Sequence, residues 1–168
     1  MKHIIKNLVF ILFLIFLLPG TIHAQTTTVI SYPCSLVLYP VKDTSNALGT
    51  ALIAKVKKPF TNTPQSPVRE RQSVGIYADW LPLPSSYGDY DQYEGFAQVP
   101  DVISWRFKLV PVKEAAPSWF GGTPWVGKFD EISLEIPVNT RVEVRLSNSK
   151  RDKLGPVVLQ NSLQGCGK

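Results

Sequence analysis

The sequence predicts an all-β fold, an antiparallel two-sheet β-sandwich of immunoglobulin-like or jelly-roll-like type, on three observations. Short runs rich in β-branched and aromatic residues recur between prolines and glycines after Gln25. Several of them alternate apolar and polar residues at period two. No stretch of twelve or more residues after Gln25 carries convincing 3.6-residue apolar periodicity, and the high proline content suits short strands and stiff connections.

The expected strands follow in order. Ser35 to Val41 and Ala51 to Val56 are apolar runs bounded by turn-forming residues. Over Ala47 to Lys57 a short helix competes, because Ala, Leu and Lys favour it. Ser73 to Trp80 is the third strand. Val102 to Val112 sets Trp105, Phe107 and Leu109 against Ser104, Arg106 and Lys108, with Pro111 marking an end or an edge because proline cannot donate to a ladder. Glu131 to Ile136 and Arg141 to Leu146 alternate cleanly and read as a hairpin joined by Pro137-Val138-Asn139-Thr140. Pro156 to Leu163 is the last strand. Lys57 to Arg71 reads as a long connection, and residues 25–168 as a single domain large enough to bury a core without a metal or a partner.

Residues 1–24 have the layout of a secretory signal peptide. Lys2 and Lys6 precede the apolar run Leu8 to Leu18, and Pro19-Gly20 and Ile22-His23-Ala24 follow it. Eleven apolar residues make about 16 Å of helix against a hydrocarbon core of ~30 Å, too short for a stable membrane span. The expectation is cleavage near Ala24 and a soluble secreted or periplasmic product. The two cysteines, Cys34 and Cys166, lie near the ends of the exported chain, where an oxidising compartment favours a disulfide joining the termini. Closing so long a loop removes ~5 kcal/mol of unfolded-state freedom in the chain-entropy model.

Cleavage would remove both histidines, His3 and His23. Serine or cysteine nucleophiles that need an imidazole base are then excluded, as are zinc sites built on histidine and haem sites with a His or Met ligand. Nucleic acid is not an expected partner, since the basic residues Lys55, Lys57, Lys58, Arg69, Arg71, Lys150, Arg151 and Lys153 are scattered along the chain.

One segment stands apart. Gln72 to Trp105 contains no Lys or Arg, yet carries Asp79, Asp89, Asp91, Glu94 and Asp101 together with Tyr77, Trp80, Tyr87, Tyr90, Tyr93, Phe96 and Trp105. Its centre, Ser85 to Gly95, reads as an exposed acidic loop whose tyrosines offer contact area at low entropic cost. Three ligands suit it. A sugar would stack on the rings while a carboxylate accepts its hydroxyls. Ca²⁺ would take oxygens from Asp89, Asp91 and Glu94, although the spacing is not that of an EF-hand. A cationic protein would be steered by charge and held by the rings. The bland alternative is a solvated turn whose tyrosines cover the core.

A second segment, Ala115 to Gly127, places Trp119, Phe120 and Trp125 around Gly121-Gly122. It is either an aromatic finger or a plug for one end of the core. The resulting expectation is an exported binding module, an inhibitor among the options, that meets an extracytoplasmic protein or glycan through Trp80, Tyr87, Asp89, Tyr90, Asp91, Tyr93, Glu94, Trp119 and Trp125. The alternatives are a small carboxylate-dependent glycan-cleaving enzyme and a structural or assembly subunit of the cell envelope. No cofactor is expected beyond the Ca²⁺ option.

Overall fold

A computed structural model of the chain describes residues 29–42, 46–61, 63–112 and 123–167. The signal-like segment 1–24 and Trp119 therefore lie outside the described residues. Eight antiparallel strands form the body: β1 (Cys34–Pro40), β2 (Leu48–Pro59), β3 (Val68–Asp79), β4 (Gln92–Val99), β5 (Ile103–Pro111), β6 (Trp125–Ile132), β7 (Arg141–Asn148) and β8 (Lys153–Ser162). One-turn 3-10 helices follow β3 at Pro84–Tyr87 and β8 at Leu163–Cys166.

The strands close into one barrel in the order β1-β2-β3-β6-β5-β4-β7-β8. This corrects the expectation of a two-sheet sandwich. The reason lies in two short seams. Between β5 and β6 the paired residues are Val110 with Val126 and Pro111 with Trp125. Between β1 and β8 they are Tyr39 with Gln160 and Pro40 with Leu159. Alternation along a strand reports which side faces the core but carries no information about whether an edge finds a partner. The two halves joined at these seams are the two sheets a sandwich would have kept apart, and closure leaves no open edge.

Other boundaries shift for related reasons. From Leu48 to Lys57 the helix alternative gives way to strand, as pairing with β1 and β3 requires. The anticipated hairpin of Ile132 to Ile136 with Val142 to Leu146 does not form. β6 ends at Ile132, and β7 pairs with β4 and β8 instead. The supposed connection Lys57 to Arg71 is the outer end of the β2–β3 hairpin, with Lys57 opposite Glu70 and Lys58 opposite Arg69.

Inward-facing Leu38, Ala51, Ile53, Val74, Ile76, Tyr93, Leu109, Val142, Val144, Leu146 and Leu159 are all buried and fill the interior, as expected of an eight-stranded barrel. Space there is tight enough to require glycine. A Cβ at Gly95 would stand 2.5 Å from the Phe107 ring, and one at Gly155 would stand 2.5 Å from Tyr90 Cε1. The Cys34–Cys166 disulfide, with Cα atoms 5.8 Å apart, ties the first strand to the turn after the last, as the sequence predicts. Beside it Ser31 N donates to Cys166 O at 2.8 Å.

Candidate functional site

The acidic, tyrosine-rich stretch is exposed loop only in its first part, where Ser85, Ser86, Gly88, Asp89 and Asp91 are exposed in and after a one-turn 3-10 helix. Residues Gln92–Val99 are a central strand between β5 and β7, and Tyr93 is completely buried. Its ring meets Trp125 edge-on at 5.0 Å between centroids, and its hydroxyl donates to Pro82 O at 2.8 Å. Burial pushes the Tyr93 phenol well above its ordinary pKa, and burial raises that of Tyr87 also. Tyr87 and Tyr90 are half-buried against the core cluster, Tyr90 lying over Gly155. Trp125 is core. Trp80 is 38 % exposed and adopts a left-handed backbone, φ +60°, with its N–H donating to Asp79 Oδ1 at 2.8 Å. Such a φ is uncommon for a bulky residue and is held here by the Asp79 carboxylate.

The carboxylates are spent on separate partners. Asp89 meets Arg151 and Asn148. Asp91 accepts from the backbone and hydroxyl of Ser149 at 2.9 and 2.6 Å, which holds its carboxyl below the usual range. Glu94, nearly buried, accepts from Arg106 and from Gln92 Nε2 at 2.9 Å. No group of three or more His, Cys, Asp or Glu among the described residues is placed to hold a metal ion. Of the segment's candidate contacts, Trp80, Asp89 and Asp91 are exposed, Tyr87 and Tyr90 half-buried, and Tyr93 and Glu94 buried.

The outer surface of the barrel divides instead into two unlike walls. The first is the outward face of β1, β2, β3, β6 and β5. Register places Val37, Thr50, Tyr77, Val126 and Val110 side by side across these strands, with Leu48 beside Asp79 and Leu52 beside Gly75 in the flanking rows. Leu48, Leu52, Tyr77 and Val110 are 44–52 % exposed, and Tyr39 at the β1–β8 seam is 58 % exposed. Four strand spacings of ~4.8 Å make this apolar area about 19 Å wide. Its polar rim is Asp79, which receives the Tyr77 hydroxyl at 3.4 Å, and Lys128.

The second wall is the outward face of β5, β4, β7 and β8. Arg106 lies beside Phe96, Phe96 beside Glu143, Glu94 beside Arg145, and Glu143 beside Gln160. The charges here are covered by one another. Arg106 also reaches Asp152 at 3.0 Å, and the Arg145 guanidinium lies 5.7 Å from the Phe96 ring centroid. Glu143 is buried, yet its nearest cation, Arg145 Nη1, is 3.9 Å away. Next to it, Arg141, Gln160, Asn161 and Ser162 line a cleft of about 470 Å³.

The basic residues are less scattered in space than along the chain. Lys57, Lys58, Arg69 and Arg71 share the outer end of the β2–β3 hairpin, where exposed Phe60 has the Arg69 guanidinium 4.2 Å and the Arg71 guanidinium 5.9 Å from its ring centroid. Lys58 is neutralised by Asp130 and Glu131. Sequence reasoning missed both walls. Glu143 and Arg145 were legible only as members of a wet face, and nothing local distinguishes an exposed outward Leu52 from an inward Ile53.

Residues 30–167 match the model of a protein family described as SPbeta prophage-derived uncharacterized protein YoqH. The chain belongs to the YoqH family. The Bacillus subtilis (strain 168) protein of that description is 45 % identical over 159 residues, covering 94 % of this chain and 97 % of its own length. No solved structure matches. The YoqH match runs from Ile30 to Gly167, the two residues of the bridge that closes the termini, so all eight strands and both disulfide cysteines fall within it. Among the described residues no helix is long and apolar enough to cross a membrane.

Proposed function

We propose that this YoqH-family chain is a binding module acting outside the cytoplasm, which docks a partner protein on the apolar wall of its barrel. The carrying observation is that Leu48, Leu52, Tyr77 and Val110 stand half exposed on one face while the opposite face covers its charges. Burying apolar surface is worth ~25 cal/mol per Å², so an exposed patch of this kind favours a complementary apolar surface. Asp79 on the rim offers a carboxylate to a basic group of that partner, and Trp80 beside it adds an exposed aromatic edge. The secretory layout of the first 24 residues and the Cys34–Cys166 disulfide both favour an oxidising compartment. A charged wall with Glu94, Arg106 and Glu143 also sets this barrel apart from membrane barrels, whose outer belt is apolar all round.

The test is comparative capture. Wild type and the Leu52→Asp variant, matched for thermal stability, are immobilised and exposed to the producing cell's envelope fraction and medium. A protein retained by wild type and lost from L52D supports the reading. Equal retention removes the apolar wall from it.

A further inference from the structure

The positive charge of the chain is concentrated on one projecting element. Between Lys55 and Arg71 stand five cations, Lys55, Lys57, Lys58, Arg69 and Arg71, and one carboxylate, Glu70, in a chain whose net charge is +5. Strand β1 accompanies β2 only as far as Ile53, and β6 accompanies β3 only as far as Gln72. Beyond them the pairs Val56–Arg71, Lys57–Glu70, Lys58–Arg69 and Pro59–Val68 have only each other, so the hairpin leaves the barrel as a two-stranded arm. At ~3.4 Å per rung the arm is about 14 Å long before its turn.

A two-stranded ribbon is marginal in water on its own, and this one is braced. Lys58 is held by Asp130 at 2.9 Å and by Glu131, Arg71 donates to Ser133 Oγ at 2.6 Å, and Lys55 pairs with Glu70 at 2.9 Å. The turn is tied as well: Phe60 N donates to Pro67 O at 3.0 Å, Thr61 N to Ser66 Oγ at 2.7 Å and Ser66 N to Thr63 O at 3.0 Å. Its apolar side chains nevertheless face water, Phe60 52 % and Val68 62 % exposed. An ordered tip that keeps a phenyl ring and a valine wet gains when another apolar phase takes them up.

Charge decides which phase. Lys55 and Lys58 are neutralised within the protein, whereas Lys57, Arg69 and Arg71 have no carboxylate at salt-bridge distance among the described residues. The Arg69 guanidinium lies 4.2 Å and that of Arg71 5.9 Å from the Phe60 ring centroid, so cation and ring arrive together. An anionic lipid surface offers both counterparts at adjoining depths. Its phosphates suit the forked guanidiniums, and the boundary with the acyl chains suits the ring and Val68. A soluble phosphate polymer would meet the cations and leave the apolar tip wet.

We propose that the β2–β3 arm is a peripheral membrane-docking element, which seats Phe60 and Val68 among anionic lipid headgroups while Lys57, Arg69 and Arg71 engage the phosphates. Such docking needs no membrane span. It is separate from protein docking on the apolar wall, since Leu52 lies ~27 Å back along β2 from Phe60.

The experiment is flotation of the protein beginning at Gln25 with vesicles of phosphatidylcholine alone and of an equal mixture of phosphatidylcholine and phosphatidylglycerol, at low and at high salt. The expected result is co-flotation with the mixed vesicles that falls with salt and is absent with phosphatidylcholine alone. Phe60→Ser and Arg69→Gln should each weaken binding by about fivefold or more. Both should unfold at the wild-type midpoint, because the substituted side chains lie beyond the barrel, and L52D should float as wild type does. The proposal is overturned if the mixed vesicles leave the protein behind, if both kinds of vesicle carry it equally, or if both arm variants float unchanged. Equal affinity of wild type and Phe60→Ser for soluble inorganic polyphosphate, at the strength seen with mixed vesicles, would assign the arm to polyanions in general and overturns it too.

Discussion

The apolar and the charged wall belong to one barrel, follow the same period-two rule, and have the same kind of interior behind them, yet they treat their outward residues in opposite ways. On the wall of β2 and β3 the outward apolar side chains are about half exposed, Leu52 over Gly75 and Tyr77 beside Thr50. On the wall of β4 and β7 outward side chains bury one another, to the point that Phe96, Glu94 and Glu143 are as concealed as core residues. Burial on a barrel is therefore not decided by inward or outward position alone. Long arginines laid across neighbouring strands create a second, polar layer over β4 and β7. Over Leu52, Gly75 and Thr50 no such layer forms.

The sharpest challenge to the comparison is to loosen the closure that holds the walls together. Replacing both Cys34 and Cys166 by serine should cost ~2–5 kcal/mol in denaturant unfolding, because the bridge spans 132 residues beside the β1–β8 seam. A loss well under 1 kcal/mol would mean that strand pairing at the seam suffices.

Arg106→Ala should strand the nearly buried Glu94 and destabilise the protein by about 2 kcal/mol, a figure already reduced for the partly exposed guanidinium. Leu52→Ser on the other wall should change stability by no more than about 0.5 kcal/mol. Equal effects measured in urea would erase the distinction between a paired and an unpartnered wall.

The smallest expected effect concerns Tyr93, the member of the acidic segment that became core. Its folded pKa is raised by burial, so the contribution it makes is fully present below the ordinary tyrosine value near 10 and is lost as pH rises above it. Tyr93→Phe should lower stability at neutral pH by about 1 kcal/mol through the lost bond to Pro82 O, while flattening the decline above pH ~10. Tyrosinate absorbance followed with unfolding checks both. Asp91 acts in the opposite sense: its lowered pKa makes its contribution present above the ordinary carboxylate range and lost on acidification.

Most of the strand content was legible because alternation and β-branched runs are local signals. Val102 to Val112 and Arg141 to Leu146 needed nothing further. Gln92–Val99 was missed because Gln92, Glu94 and Gln98 gave it the look of a polar loop, and only Arg106 from β5 and Arg145 from β7 make such a strand buriable. The false hairpin across Pro137 to Thr140 failed for a similar reason. Two adjacent alternating runs predict neighbours, but β7 found better partners in β4 and β8.

By itself the sequence determined the class of fold and the disulfide, because composition, alternation and the placement of two cysteines act through short-range chemistry and chain entropy. Only tertiary structure decided that the two sheets close into a barrel, that Tyr93 points inward, and that Leu52 and Glu143 lie on unlike walls. Those outcomes depend on which strands meet in space, and seam pairs such as Tyr39 with Gln160 leave no mark on the residues around either partner.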